Sequence, residues 1–291
     1  MDSIVQAIED FIKELLQGWI MNNLTTMFTD VNTKVGTIAN EVAKTPQTWN
    51  GSIYSMIYTL SENVIVPIAG MIITFVLCYE LIQMVIDKNH LHDGVDTWLF
   101  FKFIFKAYVA IYFVSNTFDI TMAVFDVGAH VVTESAAVIS NNTYLDVQTA
   151  LERMFATQFV SMGIGELFAL SMETMIVSQC MKIISVLITV ILYGRMMEIY
   201  LYVSMSPIPF ATITNREWGT IGTNYLKGLF ALAFQGFFMM VCVGIYAVLV
   251  NGLVVAGNIH SAIWSVAAYT VLLCLSLFKT GSISKSIFNS H

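Results

Sequence analysis

The chain has 291 residues, a formal net charge of −7, and a composition that is 57% hydrophobic and only 11% charged. A soluble domain carries about a quarter charged residues, so this sequence has too little polar surface for a soluble globule. Its apolar residues also fall in runs that approach or exceed the roughly 20 helical residues needed to cross a bilayer.

The first pattern lies in residues 2–20. Ile4, Ile8, Phe11, Leu15 and Trp19, flanked by Val5, Ile12 and Leu16, recur every three or four residues, as one face of a helix does. Asp2, Glu9, Asp10 and Glu14 stand against Lys13 on the polar side. Anionic lipid is attracted by Lys and Arg, so this apolar face is expected to pack on protein. The acidic start also differs from the basic start of a secretory leader, and no cleaved leader is expected. Leu24, Met27, Val31, Val35, Ile38 and Val42 then follow at the spacing of a short coiled-coil seam, until Pro46 interrupts. An oligomer contact and a surface helix covering the first pattern explain that spacing equally well. Residues 1–62 therefore read as extracytoplasmic amphipathic helices.

Residues 63–118 read as two membrane helices. The first runs from about Val64 to Ile86, with Pro67 in its first turn, where a missing amide donor costs little. The second runs from Trp98 to Phe118, with Lys102 and Lys106 near its start able to snorkel to an interface. Asn116, Asp119, Ala123, Asp126 and His130 then form a polar stripe, as if this helix continued beyond the membrane. Residues 119–174 read as a long, acidic, partly helical extracytoplasmic segment, with an apolar patch around Phe168.

Residues 175–278 hold three further spans: Met175 to Tyr193, Leu229 to Val250, and Ile263 to Phe278. The first of these extends toward Met205 and is stopped by Pro207 and Pro209. A polar cytoplasmic connector with Arg216, Glu217 and Trp218 follows and leads to Lys227, while Gly236 and Gly244 suit close helix approach. Asn251 to Ser261 is a tight, uncharged turn. Residues 279–291 read as a short, poorly ordered cytoplasmic tail. The fold class is thus all-α, a polytopic helical membrane protein with about five transmembrane helices plus N-terminal amphipathic helices.

Basic residues sort by loop. Lys88, Lys102 and Lys106 lie at the first loop, Arg195, Arg216 and Lys227 at the third, and Lys279 and Lys285 in the tail, against Arg153 alone at the second. Positive loops stay in the cytoplasm, which predicts an outside N-terminus and an inside C-terminus in the cell membrane.

No phosphate-binding loop, H-E-x-x-H zinc motif or G-x-S-x-G elbow is present, so the common routes of nucleotide and ester hydrolysis lack a carrier in this sequence. The chain is read as no enzyme, with no cofactor. Cys78, Cys180, Cys242 and Cys274 lie in separate apolar runs without ligand spacing, and His90 and His92 with Asp93 make only a weak metal pattern. The informative polar residues are Arg195 and Glu198, three apart on one helix face before the proline break, and Glu80 and Lys182 within their spans. A charge inside hydrocarbon costs about 2.5–3.5 kcal/mol or more unpaired, so each calls for a partner, and Glu80 with Lys182 is one candidate pair.

An outside amphipathic N-terminus, five spans, a long second loop, and a third helix ending in Arg195-x-x-Glu198 and Ser206-Pro207-x-Pro209 resemble the TrbL-like polytopic inner-membrane subunit of conjugative type IV secretion systems, the sixth VirB-class component. The third helix with its proline stop, the connector holding Trp218, and the fourth span carry most of the likeness. The resemblance implies a homo-oligomeric channel or scaffold subunit that takes part in transfer of DNA and relaxase. It would work with other membrane subunits and separate ATPases, with transient contact to the transported DNA. A small-solute transporter, an ion channel and a non-conducting scaffold are the readings set against it.

Overall fold

The computed structural model describes residues 2–89, 97–143, 162–253 and 259–290, which form helices joined by short turns, with no strand among them. The weak histidine pattern at His90, His92 and Asp93, the turn at 254–258, and the second loop from 144 to 161 lie outside the described residues.

One uninterrupted helix, α1 (Asp2–Ala43), accounts for both N-terminal patterns. It ends three residues before Pro46. Thr45 then caps α2 (Pro46–Trp49), exchanging backbone and side-chain hydrogen bonds with Thr48. Asn50 caps α3 (Gly51–Leu60), its Oδ1 accepting from the N–H groups of Ser52 and Ile53. These caps satisfy amides that have no partner inside a helix.

A π-helical turn, Ser61–Ile65, joins α3 to α4 (Val66–Asn89). Pro67 therefore sits within a long helix rather than in its first turn. Proline has no N–H and its ring crowds the carbonyl four residues back. The widened turn, in which Val66 N–H reaches Ser61, lies just where that mismatch falls. Residues 51–62 are thus continuous with the first candidate membrane helix.

Next come α5 (Thr97–Ser115) and α6 (Thr117–Thr143), separated by Asn116 alone. They are followed by α7 (Ile164–Ser204), α8 (Pro207–Thr212), α9 (Gly219–Leu253) and α10 (Ile259–Ile287). Pro207 both follows the stop of α7 and opens α8, taking the position where a missing amide is harmless. The expected tail is corrected. Residues up to Ile287 continue α10, and Ser284 Oγ donates to the carbonyl of Ala231. The short helical extension can hold because its small and aromatic residues pack: Phe288 lies against Phe230 and Phe234.

Among the described residues, five helices are long and apolar enough to cross a membrane: Gly51–Ile86, Thr117–Ile139, Ile164–Ser204, Gly219–Gly252 and Ile259–Ile287. Four coincide with expected spans. The fifth, Thr117–Ile139, falls on α6, inside the segment read as extracytoplasmic, while the expected span from Trp98 to Phe118 falls on α5 and the start of α6.

The residues group into two compact units. The first comprises Met1–Val42, Val132–Tyr193 and Phe237–Thr280. Within it, Ile20, Leu24, Val31, Leu170, Met181, Met239 and Val266 are buried, and Gly244 lies against Ile139, the close approach expected of that glycine. The second comprises Ala43–Val131, Gly194–Gly236 and Gly281–His291. It has one core of Phe118, Phe125, Ile199, Tyr200, Leu229 and Leu232. In a smaller one, Ala211 of α8 packs with Ala69 and Ile73 of α4 and Ala110 and Val114 of α5. Gly128 and Gly222 are tight points here, because a Cβ would come within 2.8 Å of the Ala233 carbonyl oxygen at the first and 2.6 Å of the Pro209 carbonyl oxygen at the second.

Candidate functional site: the connector clamp

In the second unit, the connector between α8 and α9 is held from its backbone outward. Asn215 Oδ1 accepts from the N–H groups of Glu217 (2.8 Å) and Trp218 (2.9 Å), folding the chain into a side-chain-stabilised turn before α9 begins at Gly219. The turn presents Arg216, Glu217 and Trp218 together.

Helix α4 supplies the receiving face. Phe75, Tyr79 and Gln83 are four residues apart and line one side of the helix, with Glu80 beside them. Trp218 stacks on Phe75 and Tyr79, with ring centroids 5.6 and 5.5 Å apart and nearly parallel planes. Glu217 accepts from Tyr79 Oη and Gln83 Nε2, each at 3.0 Å. Gln83 also donates to Tyr79 Oη at 2.9 Å.

Glu80 joins the connector to a third element. Its Oε2 lies 2.7 Å from Lys106 Nζ of α5, and its Oε1 accepts from the backbone N–H of Arg216 at 3.2 Å. Glu80 is only 17% exposed and Lys106 36%. A charge-assisted hydrogen bond in such a half-buried place is stronger than one in bulk water. Glu80 therefore takes Lys106 as its ion-pair partner in place of the Lys182 considered from sequence. Lys182 itself lies on the exposed side of α7.

The remaining candidates lie outside the clamp. Arg195 is buried, 7% exposed, in the wall of the second unit. Glu198 pairs with Lys285 of the α10 extension at 2.7 Å. Spacing along one helix points to Arg195 as its neighbour, and Glu198 does act on Arg195 electrostatically; the contact with Lys285, 87 residues away, leaves no local pattern. Pro207 is buried and Pro209 half-buried at the start of α8, whereas Arg216 and Lys227 are exposed. Ile4, Ile8, Phe11, Leu15 and Trp19 are all exposed. Tyr79, Gln83, Lys106 and Asn215 went unrecognised as site residues. The only available signal was the four-residue spacing of Phe75, Tyr79 and Gln83.

This arrangement has no grouping suited to bond-making chemistry. No cluster of His, Cys, Asp or Glu able to hold a metal ion occurs among the described residues. What the clamp does physically is fasten the turn between two candidate spans to α4 and α5.

All-α architecture, five candidate spans and a braced connector define the chain as a multi-pass helical membrane protein. A family model described as TrbL/VirB6 plasmid conjugal transfer like protein matches residues 31–207, well over half of the sequence. The chain belongs to this TrbL/VirB6 family, whose members are components of conjugative transfer systems. The match takes in α4 to α7 and stops at Pro207, so the connector and α9, which carried much of the likeness read from sequence, lie beyond it. No curated protein and no solved structure matches the chain.

Proposed function

We propose that this protein is an architectural subunit, a channel or scaffold rather than an enzyme, in the membrane complex that passes DNA and its relaxase from a conjugating donor cell. The observation that carries this reading is the family match across residues 31–207. Several copies of the chain associate, beside other secretion-system membrane subunits. Separate ATPases supply the energy.

The positions of the spans support an outside N-terminus and an inside C-terminus in the cytoplasmic membrane. An odd number of spans puts the termini on opposite sides. Lys88, Lys102 and Lys106 then fall on the same side as Arg216, with Arg153 on the other. On this reading the connector clamp faces the cytoplasm, where motion of an energising subunit can reach α4 and α5 through Trp218 and Glu80. Exposed Arg216 and Lys227 supply positive charge for transient contact with the transported polyanion.

The test is a donor strain lacking this gene, mated with a marked recipient. Transfer should fall to background and return when the full-length protein is supplied in trans. Unchanged transfer in the deletion strain would overturn the proposal. Reporter fusions at the two termini check orientation separately.

A further inference from the structure

Helix α1 carries two apolar faces, and only one is covered among the described residues. From Leu16 onward, Ile20, Leu24, Met27, Val31, Ile38 and Val42 are buried, with at most 6% of any of them exposed. The earlier set points elsewhere. Phe11 is 64% exposed and Trp19 60%, although Ile20, the next residue, is fully buried. Successive helical residues turn by about 100°, so a sharp change between neighbours marks two distinct faces rather than a frayed end.

The exposed face has a regular register. Ile4 and Phe11 are seven apart, as are Ile8 and Leu15, which places these four on the two seam positions of a heptad. Val5, Ile12 and Trp19 repeat at seven-residue spacing along one flank and widen the face to three positions in seven. Every charge falls off the seam: Glu9, Asp10 and Lys13 take the outward positions, and Glu14 borders it on the other flank. In a parallel assembly that flank meets the apolar flank of the next helix, so like charges do not oppose one another. Copies of one membrane protein share an orientation, and rotation about the membrane normal makes their α1 helices parallel. Acids also dominate the polar side, which disfavours an anionic lipid surface as the occupant.

We propose that the face from Ile4 to Trp19 is where copies of this chain meet, through a parallel bundle of their α1 helices. The inference rests on the homo-oligomeric reading above and names the contact that makes the oligomer. A face three positions wide suits a bundle of more than two helices better than a two-stranded seam.

The test uses the full-length protein with Cys78, Cys180, Cys242 and Cys274 replaced by serine, expressed with the rest of the transfer system. Single cysteines are introduced by Ile8→Cys or Phe11→Cys on the seam and Asp10→Cys or Lys13→Cys off it. Ile8, Asp10 and Phe11 are exposed and Lys13 is half-buried, so packing within the chain is largely spared. After oxidation of native membranes, a homodimer band should form strongly at the two seam positions and weakly at the other two. Phe11→Glu should also shift the native mass in mild detergent toward the single chain. Equal crosslinking at all four sites, crosslinking to a different subunit, or no crosslinking would overturn the proposal. The native mass of the unaltered protein separates the two readings: an oligomer without seam-selective crosslinks sinks only this contact, whereas a single chain sinks homo-oligomerisation as well.

Discussion

Glu80 and Glu198 each hold a lysine at 2.7 Å, yet their surroundings differ. Glu80 is mostly covered, also accepts from the Arg216 amide, and stands beside a stacked tryptophan and a second hydrogen-bonded carboxylate. Glu198 and Lys285 are 42% and 43% exposed. Equal distances therefore do not mean equal contributions, because desolvation and shared partners decide what an ion pair is worth. The clamp should behave as one coupled structure and the second pair as a trim.

Glu80→Ala gives the largest expected effect. It leaves the Lys106 ammonium and the Arg216 amide without their carboxylate, at a cost of about 2 kcal/mol. Thermal unfolding in mild detergent should show the loss, and donor mating should show reduced transfer even at normal protein level. If stability falls but Trp218 fluorescence is unchanged, the connector is held by its aromatic stack alone and the coupled picture fails.

Trp218→Ala comes next. Loss of contact with two rings is worth about 1–2 kcal/mol. The double variant with Glu80→Ala should be less destabilised than the two single effects together, since each change already loosens the same turn. Strict additivity would split the clamp into independent contacts.

Lys34 extends the comparison to a cation that is covered but poorly compensated. It is buried in α1, its Nζ has no hydrogen-bond partner, and Asp30 is 4.0 Å away. Burial pushes its pKa below the ordinary 10.5, and Asp30 only partly offsets this. The unfolded chain then binds more protons than the folded one at alkaline pH. Stability should accordingly rise as pH climbs from the lowered folded value toward 10.5. Lys34→Met removes the desolvation penalty and should stabilise the protein by about 1 kcal/mol at neutral pH, while flattening that alkaline rise. Melting curves across pH check both parts; destabilisation at neutral pH would show that Lys34 is better compensated than Asp30 alone allows.

Much of the fold was legible because membrane helices announce themselves through apolar length. Four of the five candidate spans and the break before Pro207 needed little more. The candidate span on α6 was not legible because Asp119, Asp126 and His130 occupy one exposed stripe of it while Phe118, Phe125 and Val132 are buried elsewhere on it. Averaging by segment lost that division. The clamp was legible only in parts. Trp218, Arg216 and Glu80 stood out singly as rare polar or aromatic residues in apolar surroundings, but their meeting depends on a turn made by Asn215 and on α5 bringing Lys106 across. Pairings between residues 26 or 136 positions apart leave no local pattern.

The smallest effect belongs to Lys285→Ala. An exposed ion pair contributes at most about 0.5–1 kcal/mol, and the α10 extension keeps its Ser284 bond to Ala231 and the Phe288 packing without it. Melting temperature and transfer should change little, and rising salt should erase what difference there is. Exposure within one chain does not distinguish water from lipid or a neighbouring subunit. A loss as large as that from Glu80→Ala, insensitive to salt, would show that Glu198 and Lys285 are shielded in the assembly. The contrast between the two carboxylates would then reflect what covers each one rather than how many partners each has.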